Sequence, residues 1–195
     1  MFLLVGGLAL FRGLHSVRIF AEDRRTRLIA AHGLGWWKGA YSAVAIAGFA
    51  MIAVGFGQAR RHAVLLWSPS RWTHDLAGVL MLAAFVLLAA AYVPGNGIKA
   101  RVRDPLILGT KLWATAHLLA NGSAADVVLF GSFLAWSVLD FRAARRRRAA
   151  DDDAAAAAAP ANRWGTAVAV AGGVAAWAAF VFWLHGMLFG VRPFG

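Results

Sequence analysis

From Leu76 to Ile98 the chain carries no charged residue, and apolar runs of comparable length recur along nearly all of it. A bilayer core about 30 Å thick takes roughly 20 helical residues to cross. Its interior offers no water to backbone groups, so helices are the element that can span it. Six runs fit that description: Phe2 to Phe20, Gly39 to Gly57, Trp72 to Val93, Pro105 to about Asn121, Ala124 to Phe141, and Trp164 to Gly190. The Asn-Gly pair at Asn121–Gly122 predicts a tight hairpin between the fourth and the fifth. The expected fold is all-α: a polytopic transmembrane helix bundle of about six spans, five if the first run stops short of crossing, with no β-sheet.

Composition agrees. Hydrophobic residues make up 61% of the 195 and charged residues only 15%, and a mean hydropathy of +0.63 lies outside the range of soluble globular domains. Connections this short leave room for one domain over residues 1–195. The net charge of +11 does not point to nucleic acid, because the basic residues sit between apolar runs rather than in one patch with interleaved aromatics. They act instead as topology signals. Arg24, Arg25, Arg27, Lys38, Lys99, Arg101, Arg103, Arg142, Arg145 to Arg148 and Arg163 fall on one side, and Arg60, Arg61, Arg71 and Arg192 on the other. The positive-inside rule makes the first side cytoplasmic and places both termini outside.

The N-terminal run has no basic region before it and no small-residue cleavage pattern after it, so it is read as a retained helix. Residues 142–163, an Arg run followed by an Asp/Ala stretch, are expected to form a cytoplasmic linker whose basic part lies near anionic headgroups. Trp36, Trp37, Trp67, Trp72, Trp164 and Trp183 fall near span ends, as an aromatic belt does. "GWWKG" and "GMLFG" have the small-xxx-small spacing of close helix pairs.

Ionisable residues inside spans are costly and usually face the bundle interior; here they are Arg12, His15, Arg18, His74, Asp75, Lys111, His117 and His185. Walker, GxGxxG, HExxH and GxSxG signatures are missing, which removes NTPase and hydrolase readings. With no cysteine, thiolate ligands, iron–sulfur clusters and covalent c-type haem are excluded as well. Histidines on different helices remain, and facing histidines in a bundle hold a metal or a haem. Without a ring of carboxylates, non-covalent haem b fits better than zinc or non-haem iron.

Each candidate has a plainer explanation. His117 could be an interhelical hydrogen-bond donor, His15 a mark of the headgroup level, and His74 an interfacial partner of Asp75. His185 reads as interfacial, and His32 and His62 lie in basic loops. Lys111 and Arg18 suit haem propionates, or else snorkel toward the interface.

The segments "GLALFRGLHSVRIF", "GWWKGAYSAVAIAGF", "RWTHDLAGVLMLAAFVLLAAAYVPG", "KLWATAHLLANG", "VLFGSFLAWSVLDFR" and "LHGMLFGVRP" together resemble the NnrU family of bacterial membrane proteins. That resemblance covers almost the entire chain and implies an inner-membrane protein linked to nitrite and nitric oxide metabolism. The family is similar to the zeta-carotene isomerases, which use histidine-ligated haem b to isomerise a cis double bond. Carried over by motif, the ligands fall on His15, from HS-x-R, and on His117, from W-x₃-H-x₃-NG.

The chain departs from the isomerases twice. Asp104-Pro105 stands where they have His-Pro, and Ala114 stands where they have a cysteine, so a thiolate-ligated state and a histidine role at position 104 are both unavailable. Span directions separate His15 and His117 by roughly 10 Å along the membrane normal at ~1.5 Å per residue, whereas His74 starts near the same face as His117. The cofactor-binding expectation is therefore His117 as an axial ligand with His15 or His74 opposite, and Arg18 and Lys111 near the propionates. The functional expectation is a haem b protein of nitrogen-oxide metabolism. The alternatives are a haem-dependent isomerase of a carotenoid-like polyene and a cofactor-free assembly factor. Expected partners are the lipid bilayer, an apolar polyene or nitric oxide, no nucleic acid, and a further copy of the chain if it is an oligomer.

Overall fold

A computed structural model describes residues 1–150 and 162–194. In chain order the helices are α1 (Phe2–Phe20), α2 (Glu22–His32), α3 (Leu34–Arg61), α4 (Arg71–Tyr92), α5 (Gly97–Val102), α6 (Pro105–Ala120), α7 (Ala124–Ala150) and α8 (Arg163–Ala179), followed by a π-helical turn (Phe180–Leu184) and α9 (His185–Phe189). The fold is all-α, and among the described residues β pairing is limited to isolated bridges, Leu65 to Ser123 and Asn96 to Asn162.

Five helices have the length and apolarity to cross a membrane: α1, α3, α4, α7, and the run from Arg163 to Phe189. The expected fourth span corresponds to a helix, α6, with Pro105 in its first turn, that is not among these five. Its 16 residues extend only about 24 Å at ~1.5 Å each, less than the ~30 Å core. The expected loops after the first and third spans contain α2 and α5. In α2, Glu22 and Asp23 occupy the first turn, where they complement the helix dipole, and Glu22 pairs with Arg25 at 2.7 Å. Of the expected 142–163 linker, residues through Ala150 continue α7, residues 151–161 lie outside the described residues, and α8 starts at Arg163.

The described residues form two compact units. The first comprises Met1–Trp67 and Ser123–Ser132. Here α1 and α3 run antiparallel in close contact, with Gly55 against Leu4, Gly7 against Ile52, and Gly48 against Phe11. A Cβ on Gly7 would stand 2.7 Å from the Ile52 backbone nitrogen, so only glycine lets these backbones meet. The start of α7 is tied in by the Ala124 N–H donating to Val64 O at 2.9 Å and by an edge-on Phe56–Phe130 pair. A reciprocal cap begins it: Asp126 Oδ2 accepts from both Ser123 Oγ (2.5 Å) and Ser123 N (3.1 Å), while the Asp126 N–H donates to Ser123 Oγ at 3.2 Å.

The second unit comprises Ser68–Gly122 and Phe133–Gly195 as far as Phe194. Its central helix is α4, whose buried face is alanine, at Ala77, Ala84 and Ala90. Gly109 of α6 lies against Ala84 O and Leu88, and Gly173 of α8 against Val86. Both α6 and α8 run antiparallel to α4. The α5 turn ties the start of α6 to the end of α4, with Lys99 Nζ donating to Ala91 O at 2.9 Å. Gly165 near the start of α8 meets Pro94. After α9, Gly190 takes a left-handed φ of 69° and the tail returns, placing the Phe194 ring beside Gly78 and Trp177.

Small residues fill the helix contacts, while large apolar side chains such as Ile46, Phe49, Val79 and Phe182 point outward. Lipid makes that arrangement favourable: packing there rewards close backbones, and an outward Phe finds an apolar solvent. The close approaches are not the ones marked by small-xxx-small spacing in the sequence. A Cβ on Gly35, Gly39 or Gly190 would meet nothing within 4 Å, and one on Gly186 only the Arg192 side chain.

Candidate functional site

His117 lies on α6, half-buried, one residue beyond the fully buried Ala116. Its Nδ1 is 2.9 Å from Trp113 O, one turn back. A carbonyl oxygen can only accept, so this contact assigns a proton to Nδ1. The ring also rests against Trp113 at 5.3 Å, and Trp113 in turn meets Phe133 of α7 edge-on at 5.2 Å. Asn121, the α6 C-cap, donates to His117 O at 2.9 Å, securing the backbone behind the ring. The tight hairpin is present, since Trp113 with Phe133 and Lys111 with Phe141 run in opposite senses along the two helices.

In the other unit, His15 repeats this geometry. Its Nδ1 lies 2.7 Å from Phe11 O. The ring stacks on Phe11 at 4.1 Å and meets Tyr41 of α3 edge-on at 5.3 Å. Phe11 is fixed in turn by the close approach of Gly48. The shared cause is local: in a helix an imidazole pointing back toward the N-terminus reaches the carbonyl four residues earlier.

The remaining candidates sit in different surroundings. His74 is exposed in the first turn of α4, beside an equally exposed Asp75. Gly109 against Ala84 and Leu88 sets the α4–α6 register, which puts His74 about one turn past the level of His117. His185 has its Nδ1 2.7 Å from Val191 O and packs between Phe180 and Phe189. His32 rests by Trp36, and His62 is exposed just past α3. Arg18 is exposed in the last turn of α1. Lys111 is half-buried with its ammonium 3.8 Å from the centre of the Phe141 ring, a cation–π contact that accounts for a lysine in an apolar run.

Asp104 pairs with Arg148. The partnerships of Lys111 with Phe141, of His15 with Tyr41, and of Asp104 with Arg148 join residues far apart in sequence, so no local spacing announces them.

No group of three or more His, Asp or Glu arranged for a metal ion occurs among the described residues. A protein-only multidentate centre is therefore not built there, whereas haem, which brings four nitrogen ligands of its own, needs only one or two side chains. The sequence pattern of the family described as NnrU protein matches residues 3–193. No curated protein and no solved structure matches the chain.

Proposed function

We propose, from the premise that this chain belongs to the NnrU family, that it is a multi-pass membrane protein that binds haem b through His117 and serves nitrogen-oxide metabolism. The observation that carries the haem reading is the contact between His117 Nδ1 and Trp113 O at 2.9 Å. A histidine ligand ordinarily donates one ring N–H to a carbonyl or carboxylate, which orients the ring and leaves the other nitrogen to the metal. Trp113 O fills that role for His117, and Phe11 O fills it for His15. The aromatic faces of Trp113 and Phe133 supply the apolar wall a porphyrin favours. Haem bound this way would supply one-electron transfer or a site for nitric oxide. The nitrogen-oxide setting rests on the family alone.

The chain's own residues fix the ligand ring, through Trp113 O, and place aromatic rings beside it. His15 carries the same kind of orienting bond within its own unit, whereas His74 is exposed.

An absorption spectrum of the detergent-purified protein, expressed with ample haem, tests the reading. A Soret band is expected in the native chain and in His74→Ala, and its loss or marked weakening in His117→Ala. A flat spectrum, or full haem content in His117→Ala, overturns it.

A further inference from the structure

One end of the second unit gathers the C-terminus of α4, all of α5, the start of α6, the last turns of α7 and the start of α8. Several bonds hold it together. Gly97 N donates to Thr166 Oγ1 at 2.8 Å, Asn162 N to Gly95 O at 2.8 Å, and Lys99 Nζ to Ala91 O. Among the described residues, the carboxylates at this end are already engaged: Asp104 with Arg148, and Asp140 with Arg147 at 3.8 Å. Arg101, Arg103, Arg145 and Arg163 are exposed there, and no ion pair engages them among the described residues.

Arg103 is the second clue. It closes α5 with φ 64°, the one non-glycine with positive φ among the described residues. With ψ −43° and the Asp104 N–H donating to Val102 O at 2.7 Å, Arg103 forms a positive-φ γ-turn, a rare and strained conformation that glycine adopts most cheaply. A strained residue kept where a cheaper one would serve points to a use for its side chain.

Two exposed aromatics, Tyr92 and Trp164, flank the arginines at the same end, as residues do at the level where hydrocarbon gives way to headgroups. We propose that this end is a binding site for an anionic phospholipid. The phosphate is taken by Arg103 with Arg101, Arg145 and Arg163 around it, and the acyl chains lie along the apolar sides of α4 and α8. Arginine suits the task because its planar fork meets two phosphate oxygens at once. The membrane supplies the ligand, since α7 and the run from Arg163 to Phe189, which carry Arg145 and Arg163, are long and apolar enough to cross it, and α5 brings Arg101 and Arg103 to the same end.

The test is native mass spectrometry of the full chain released from nanodiscs holding equal phosphatidylglycerol and phosphatidylcholine of matched chain length. The native protein should carry phosphatidylglycerol in excess, and each arginine lost should reduce that excess by roughly fivefold. Arg103→Gly is the informative variant, because it removes the guanidinium and also relieves the backbone. Its melting temperature should hold or rise while its lipid enrichment falls, and Arg163→Ala should lower enrichment in parallel. Equal retention of the two lipids by the native chain, or undiminished enrichment in Arg103→Gly, overturns the proposal. So does enrichment abolished by excess inorganic phosphate, which would mark a site for a free anion rather than a headgroup.

Discussion

Lys111 shows how a single residue changes meaning between sequence and structure. In the sequence it is a charge in an apolar helix and a candidate for a haem propionate; in the structure its ammonium sits on Phe141. Desolvated cation–π contacts reach about 2 kcal/mol. Lys111→Met should therefore lower the stability of the haem-free protein by about 1–2 kcal/mol, read as a shift in thermal unfolding in detergent. Phe141→Leu should cost a similar amount, and the double variant little more than either single one. Additive losses would show that the pair is not coupled. His117 had a plain local signal, since a histidine four residues after a Trp in a helix reaches that residue's carbonyl whatever the rest of the chain does. What sets it apart from other helical histidines, the Trp113–Phe133 wall, comes from two helices meeting.

At the scale of elements, the glycines make the sharpest distinction. Gly55 lies against Leu4, and a Cβ on it would collide with backbone that cannot yield. Gly55→Ala should destabilise the first unit by about 1–3 kcal/mol, as overpacking does. Gly39→Ala has open space around it and should be neutral or stabilising by up to ~1 kcal/mol, the gain in helix propensity. Unfolding of both variants in denaturing detergent would check this, and the reverse order would refute the α1–α3 contact. The cap on α7 adds a second case. Ser123→Ala should cost about 1 kcal/mol through loss of the reciprocal bonds with Asp126, while the helix itself remains. Span positions were legible in the letters to within about five residues, the end of α7 apart, because apolar length is a local property. The α2 and α5 helices were not, since short polar helices form only where neighbours and caps hold them. Arg142 and Arg145 to Arg148 read as linker because charge marks the end of an apolar run, yet a helix continues as long as its backbone bonds and side-chain partners allow.

For the whole molecule, the short α6 decides the topology. It returns antiparallel to α4 and leads into α7; five helices are long and apolar enough to cross a membrane, and a sixth passage, through α6, requires locally thinned membrane. Reporter fusions at the two termini should report the same side, the outer one by the positive-inside rule; opposite sides would show that α6 does not traverse. The letters alone fixed the class of fold, the long apolar helices and the family. Hydrophobic length and charge placement act on each segment separately, and lipid rewards them without help from other segments. Tertiary structure decided which glycines bring helices together, which partners hold Lys111 and Asp104, and which arginines collect at one end of the second unit. These are pairings between residues distant along the chain, and they exist only once helices pack.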